Sequence, residues 1–473
     1  MSHESDQVTL DTPHLSTTVL PYGHHITSLV VDGKTDVLAG FRDTDVYHHS
    51  ISNRAFLNAV VGRYANRLPS GETILSTGAK LHLPGAAGVC LHGGEAAFDT
   101  LPWAPVERSQ SLLFAQDDPD HPVPPPPSDP NEPISESSTL HRLYSPAGAE
   151  GFPCSLEVEA LVVVLAPEKR DGAHTTAEGK EGTSLGKVKV VLRAKIREDG
   201  DEDIAKGTPV NLTVHWGFRL DDGKDENVLG HHLWLDSDKL AALDESGLST
   251  GALEPVDEGS PLDFYSQGRK APHRKIGDKY PDGGVDRNFL FSHPSASLQP
   301  SPLDQPTSES SQWSPRLPTT PQAILTSPSS HLSLRFTSNQ SSVQVYTAPG
   351  LDGTGPVRKE AHGGPARDDG AKDGASAVRA AKDRATSDGD GYGADSLVFL
   401  EFQAPVGAVV HAAGAQDGEG ERPELARWMR ERAEAQGVNL DEGKKGRSWE
   451  ADTLLRKGQV YENWVEVEVV RLE

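Results

Sequence analysis

Apolar and polar residues alternate with period two along most of the patterned stretches of this chain, which predicts strands rather than helices. Between residues 8 and 40, short alternating runs are separated by Gly23-His24 and Asp32-Gly33, the mark of a meander joined by tight turns. Further strands are expected over Ser155 to Leu165, Val188 to Ile196, Thr208 to Leu220, Asn227 to Leu235, Ser396 to Ala404 and Gln459 to Leu472. His331 to Phe336 and Ser342 to Ala348 read as two strands paired with each other. One stretch rich in Arg and Glu, Glu421 to Ala435, is expected as an exposed helix. The pattern as a whole predicts an all-β class with at most a few short helices.

Composition changes this picture in one respect. Hydrophobic residues make up 35% of 473, below the share usual for a compact domain, so polar sequence must be concentrated in particular segments. Those segments lie near 117-137, with its DDPDHPVPPPPSDPNEP tract, and near 167-186, 292-330, 353-393 and 412-456. They are expected as loop insertions in a single domain spanning 1-473. The formal charge of -25 argues against unaided binding of nucleic acid or an anionic membrane, whose phosphates would repel the chain. Cys90 and Cys154 are too few for a disulfide framework or a four-thiolate zinc site. The opening MSHESDQVTL lacks the features of a secretory signal, and no run reaches transmembrane length, so the cytoplasm is the expected location. The sequence shows no P-loop, no dinucleotide glycine motif opening a helix, no HExxH and no GxSxG.

Two strand residues stand out chemically. In TPVNLTVHWGFRL, alternation puts Val210, Leu212, Val214, Trp216 and Phe218 on one side and Asn211, Thr213, His215 and Gly217 on the other. An imidazole fixed mid-strand can give or take a proton near neutral pH, and a strand histidine that only bonds a neighbour fits the same pattern. Glu401 lies among Leu397, Phe399, Leu400 and Phe402. A carboxylate there faces a pocket, is raised in pKa, or sits in water on an edge strand.

Other candidates lie in turns. FLNAVVGRYANR places Arg63, Asn66 and Arg67 just after an apolar run, where guanidinium forks suit vicinal hydroxyls, a carboxylate or the ion pairs of a surface turn. His92 precedes two glycines in LHGG, which let the backbone bend sharply and approach a ligand closely. Asp286 opens DRNFLF, where an exposed turn aspartate is the default, and Gln344 lies in a strand. The pairs His24-His25, His48-His49 and His231-His232 are not chelating sites by themselves, because adjacent strand residues point to opposite faces.

Taken in order, YGHHITSLVV, LNAVVGRYANR, LHGG with Phe98 and Trp103 after it, SPAGAEGFP, VNLTVHWGFRL, GVDRNF, VQVYTAPGLDG and FLEFQ resemble the aldose 1-epimerase (galactose mutarotase) family from about residue 20 to 405. The resemblance implies a large antiparallel β-sandwich with an open sugar cleft on one face and no cofactor or metal. It implies catalysis by His215 and Glu401, with Glu401 removing the anomeric hydroxyl proton and His215 protonating the ring oxygen. Asn66, Arg67, His92, Asp286 and Gln344 would hold the hydroxyls. The acid and base are expected to face each other across a gap the width of one pyranose.

The implied activity is interconversion of the α and β anomers of a free hexose such as glucose or galactose. The expected partner is thus a small sugar, with no nucleic acid or membrane, in a monomer or weak dimer. The alternatives are a non-catalytic sugar-binding or regulatory protein on the same scaffold, and a glycoside-cleaving enzyme using Glu401 and Asp286. Three departures from the family pattern, Val214, Gly217 and Arg287, are expected at the rim of the cleft.

Overall fold

The structure is a computed structural model. It describes residues 7–49, 56–114, 135–167, 174–175, 181–198, 207–265, 273–293, 320–366, 389–413, 423–436, 438 and 449–473. Two large antiparallel sheets dominate these residues. The ten-stranded sheet runs in the order Ala104–Pro105, Glu136–Ser145, Leu156–Leu165, Glu181–Ile196, Val460–Leu472, Leu332–Ser338, Ala323–Ser327, His232–Leu235, Arg274–Lys275, with His174–Thr175 beside Glu181–Ile196. The six-stranded sheet runs Trp216–Phe218, Val398–Gln403, Ser342–Tyr346, Asp286–Leu290, Lys239–Leu243, Ser249–Pro255. The N-terminal meander forms a smaller four-stranded sheet from Val8–Asp11, Leu15–Leu20, His25–Val31 and Thr35–Asp36.

The two large sheets pack face to face because each strand turns one alternate set of side chains inward. Val398, Leu400 and Phe402 are fully buried on the inner side of their strand, and Val343, Val345, Phe289 and Phe218 join them from its neighbours. From the ten-stranded sheet, Phe336 meets Phe218 at 5.3 Å and Phe402 at 5.4 Å between ring centroids. Each such side chain contributes roughly 1.5–3 kcal/mol on burial. On the far side of the ten-stranded sheet, alternate positions carry cross-strand ion pairs such as Lys187–Glu466 at 2.8 Å and Arg142–Glu159 at 2.5 Å. The opposite set on Val398–Gln403, namely Phe399, Glu401 and Gln403, faces away from the inter-sheet core.

Several expectations are revised. His331 to Phe336 and Ser342 to Ala348 do not pair with each other. Leu332–Ser338 pairs with Ala323–Ser327 and Val460–Leu472, whereas Ser342–Tyr346 lies in the six-stranded sheet, so the chain crosses between layers at 339–341. Ala323–Ser327, inside the stretch expected as an insertion at 292-330, is a fully buried strand whose short AIL run pairs on both edges. Glu181–Ile196 starts earlier than expected because Val460–Leu472 pairs along nearly all of it, from Gly182 with Leu472 to Lys195 with Val460.

The helix Glu424–Ala435 is not fully exposed. Leu425, Ala426, Met429 and Ala433 are buried on one face, and Leu425 and Met429 pack with Leu290 and Ala404. Part of 353-393 also packs, since buried His362 contacts the Asp36 carbonyl and the Tyr392 hydroxyl, each at 2.8 Å. The proline tract and residues 294–319, 367–388 and 439–448, which hold much of the expected insertions, lie outside the described residues. Among the described residues, no helix is long and apolar enough to cross a membrane.

Candidate active site

The outer face of the six-stranded sheet gathers the polar residues. Register puts Gly217 beside Phe399, Glu401 beside Gln344, and Gln344 beside Asn288, so these side chains share that face. Tyr346 lies between Phe399 and Asp286 on the same face. His215 falls between the short strands Thr213–Val214 and Trp216–Phe218, two residues before Gly217, where the outer side chains belong. Its backbone is pinned on both sides: its N–H donates to the Ala59 carbonyl at 3.0 Å, and its carbonyl accepts from Asn58 N–H at 2.9 Å. The Asn58 side chain donates to the Ala39 carbonyl at 2.7 Å and accepts from Gly217 N–H at 2.8 Å. Asn211 holds the end of the Glu401 strand through two bonds to Ala404, at 3.1 and 3.0 Å.

These supports bring His215 Nε2 to 3.3 Å from Glu401 Oε1, with both side chains almost fully buried. The expected gap between acid and base is therefore not present. The two groups touch, and a sugar would have to lie over the pair rather than between its members. Such closeness suits the chemistry, because the two oxygens of a hemiacetal share one carbon, so the groups serving them must be neighbours. Burial holds the His215 imidazole down to about 3 and pushes the Glu401 carboxyl well above the usual range, with the nearby Asp286 charge adding to the second effect. Both shifts favour uncharged forms.

His92 closes one side. It takes a left-handed backbone at φ 51°, and its ring stands 5.3 Å from His215, edge to face. Its Nδ1 accepts the N–H of Asn66 at 3.1 Å, so Nε2 carries the proton in the neutral ring. Asn66 is itself left-handed at φ 63°. The glycine after His92 serves the chain rather than a ligand. At φ 89°, a Cβ on Gly93 would lie 2.4 Å from the Gly62 carbonyl oxygen. The close approach expected at LHGG is thus to the protein's own backbone.

The remaining candidates extend outward. Gln344 Nε2 donates to Asp286 Oδ1 at 2.6 Å, and Asp286 Oδ2 lies 4.0 Å from the half-exposed Arg67 guanidinium. Within the buried part, Glu401 Oε2, Gln344 Oε1 and Asn66 Nδ2 have no hydrogen-bond partner among the described residues. Two acceptors and a donor left this way match sugar hydroxyls, which both donate and accept.

Arg63 is elsewhere. It is 2% exposed and its guanidinium binds the SPAGAEGFP loop, so it does not join Asn66 and Arg67. Arg287 and Val214 also stand away from the His215–Glu401 pair. Register places Arg287 beside Val345 on the inner face, where it pairs with Glu254, and Val214 is buried in the core. Three residues without an expected role do line the pair: Phe399, Phe56 and Tyr346. Phe399 contacts His215 at 4.7 Å, Phe56 tilts over His92 at 4.7 Å and His215 at 5.6 Å, and Tyr346 stacks on Phe399 at 5.7 Å. Position relative to Glu401 in the alternating pattern was the available signal for Phe399.

His92, His215 and Glu401 bring three ligand-type atoms within 4.8 Å of one another. The His92 tautomer puts a proton on the nitrogen that would have to bind an ion, so the group is better suited to moving protons than to chelation. A second group, Asp221, Asp225 and His231, is tied up by protein: Asp221 accepts from Arg219 at 2.9 Å, and His231 Nε2 accepts from Leu220 N–H at 3.1 Å.

A profile of the aldose 1-epimerase family matches residues 6–166 and 174–376. The chain belongs to the aldose 1-epimerase family. The profile match ends before Val398–Gln403, the strand that carries Glu401. Galactose mutarotase of Mus musculus is 27% identical over 287 residues, 60% of this chain and 66% of that protein. Aldose 1-epimerase of Escherichia coli is 27% identical over 214 residues, 45% of this chain and 46% of that protein. The match thus spans a little under two thirds of the mouse protein's length. A GalM/aldose epimerase homologue from C. elegans has the same fold, with a TM-score of 0.59, 15% identity and 99% of each chain covered. So does the galactose 1-epimerase of Lactobacillus acidophilus, with a TM-score of 0.56, 17% identity, and 98% of this chain and 93% of that one covered.

Proposed function

We propose that this protein interconverts the α and β anomers of a free hexose such as glucose or galactose, with Glu401 and His215 as its acid–base pair. The observation that carries this reading is the 3.3 Å contact between a buried carboxyl group and a buried imidazole, beside orphaned hydroxyl-matching atoms. Burial favours the uncharged pair, which holds one proton on Glu401. Shifting that proton across the contact makes Glu401 a base and His215 an acid without exchange with water.

Glu401 then takes the proton from the anomeric hydroxyl. The electron pair of that O–H bond forms the C1 carbonyl, the bond from C1 to the ring oxygen breaks, and its electrons take the proton from His215. Rotation about C1–C2 presents the other carbonyl face, and the reverse steps close the ring as the other anomer. The pair carries one proton before and after each step. In this reading His92, held as an Nε2–H donor, bonds the ring oxygen, while Asn66, Arg67, Asp286 and Gln344 hold the remaining hydroxyls.

Polarimetry on freshly dissolved α-glucose and α-galactose tests this directly. Acceleration of mutarotation by the protein, largely lost in Glu401→Gln with the fold intact by circular dichroism, is the expected result. Inertness toward a panel of aldoses, with sugar binding retained by calorimetry, would replace the enzyme reading with a sugar-binding one.

A further inference from the structure

His215 is not oriented in the way most catalytic histidines are. The second ring nitrogen of such a residue usually bonds a carbonyl or carboxylate that fixes the ring. Here Nδ1 is buried with no hydrogen-bond partner among the described residues, while Nε2 faces Glu401. The ring is instead enclosed by other rings. Phe399 stands edge-on to it at 4.7 Å and 61°, His92 is at 5.3 Å, and Phe56 is at 5.6 Å. Of these, Phe399 is the one built into a sheet. It is 2% exposed, and Tyr346 of the next strand stacks behind it at 5.7 Å.

Phe399 also shares a strand and a face with Glu401, so one pleat sets both the carboxyl group and the ring that steers the imidazole. Space for that ring exists because its register partner is glycine. A Cβ at Gly217 would stand 2.8 Å from Phe399 Cε1 and 3.3 Å from Ala39 Cβ. The charged or titratable groups facing His215 are Glu401 on the sheet and His92 on the adjoining loop, with Asp286 acting on Glu401 from beyond Gln344.

We propose that Phe399 is a positioning residue for His215: its ring replaces the missing Nδ1 hydrogen bond, fixes the imidazole against Glu401 and keeps water from it. This inference rests on the acid–base reading given above. Phe399 is 2% exposed and carries no polar atom to bond a hydroxyl or pass a proton, so its loss should act on turnover rather than on binding.

The test compares Phe399→Leu, which keeps apolar bulk without a ring, with Phe399→Tyr, which keeps the ring. In polarimetric assays Phe399→Leu should lower kcat about tenfold to a hundredfold at nearly unchanged KM, the size expected for a misplaced catalytic group. The acid limb of its kcat/KM profile should move up toward the ordinary histidine value of about 6.5. Phe399→Tyr should stay within about threefold of the parent, as expected for a retained aromatic contact.

A second readout needs no activity. In protein labelled with 15N-histidine, the His215 resonance, assigned by its absence in His215→Gln, should stay neutral to below about pH 5 in the parent and titrate at higher pH in Phe399→Leu. If the parent moves no anomer yet this titration shifts as expected, the mutarotase reading fails and the positioning role stands. If Phe399→Leu keeps both the parent's kcat and its His215 titration, the positioning role is overturned whatever the substrate. Should Phe399→Leu not fold, Phe399→Met, unbranched and of similar volume, carries the same two readings.

Discussion

Arg63 offers a test of how the turn that carries Asn66 and Arg67 is held. Its Nε donates to Ser145 Oγ at 3.0 Å, Nη1 to the Pro153 and Cys154 carbonyls at 2.8 Å, and Nη2 to the Ser145 and Pro146 carbonyls at 3.0 and 2.6 Å. The Asn211 N–H donates to the Arg63 carbonyl at 2.9 Å, which ties the same turn to the strand leading into His215. Arg63→Ala would take a donor from four carbonyls, of which that of Pro146 keeps the Ala149 N–H at 3.2 Å. If one of the other three finds water in the space left behind, two remain at about 1–3 kcal/mol each. With the lost contact of the guanidinium over the Phe152 ring, at 5.9 Å, the total comes to roughly 3–8 kcal/mol. That is a large part of the 5–15 kcal/mol or so by which folded domains are stable. Arg63→Lys, a point charge with three donors, should recover about half of it. Urea denaturation at constant m-value measures both variants. A loss below about 1 kcal/mol for Arg63→Ala would refute the idea that this guanidinium holds the turn together.

Other consequences are equally direct. Gly93→Ala should destabilise by about 1–3 kcal/mol or more, since its Cβ meets backbone at 2.4 Å and its φ is 89°; an unchanged melting temperature would count against the close approach. Burial holds His141 and His231 down to about 4 and His362 to about 3, whereas each returns to about 6.5 on unfolding. Their contribution is complete above pH 6.5 and is lost as pH falls toward the folded values, by up to about 1.4 kcal/mol per unit for each residue. Denaturant midpoints at pH 7 and 5.5 should differ accordingly, and equal midpoints would show that these rings are not held neutral. Glu401 behaves in the opposite sense, because its raised folded value means that stability is lost as pH rises above its unfolded range. Glu401→Gln should therefore be inactive yet more stable than the parent at pH 8, and a variant less stable there would show that the carboxyl group is not strained by burial.

Period two is a local property, and the parts of this molecule that depend on it alone were legible. The inward set Val398, Leu400 and Phe402 and the outward Glu401 follow from alternation within one strand. Pairing is not local, and there the reading failed. Leu332–Ser338 and Ser342–Tyr346 are neighbours in sequence and each is apolar enough to belong anywhere, yet a three-residue crossing sends them to different layers. Ala323–Ser327 was hidden by the serine and proline around it, because five buried residues are too few to stand out against such a background. The site divides in the same way. His215 and Glu401 are conspicuous as polar groups in apolar strands, whereas nothing in GRYANR separates Arg63, which binds a loop inside the protein, from Arg67, which reaches toward Asp286. Gly217 read as a departure at the rim, but its role appears only once register sets Phe399 beside it.

The placement of His215 and Glu401 in contact and out of water would be costly for a pair that had to gain or lose charge during turnover. Anomerisation makes no such demand. It removes one proton from one oxygen of a hemiacetal and supplies one to the other, so the pair returns to its starting count at ring opening and again at closure. A buried site therefore favours a pair that holds a single proton, with His215 held below its ordinary range against a second proton and Glu401 held above its own against losing the first. The same burial that makes each residue a poor free acid or base fixes the proton inventory that the proposed reaction would conserve. It also explains why the supports around the pair, the Asn58 and Asn211 bonds and the rings of Phe399 and Phe56, set position rather than charge.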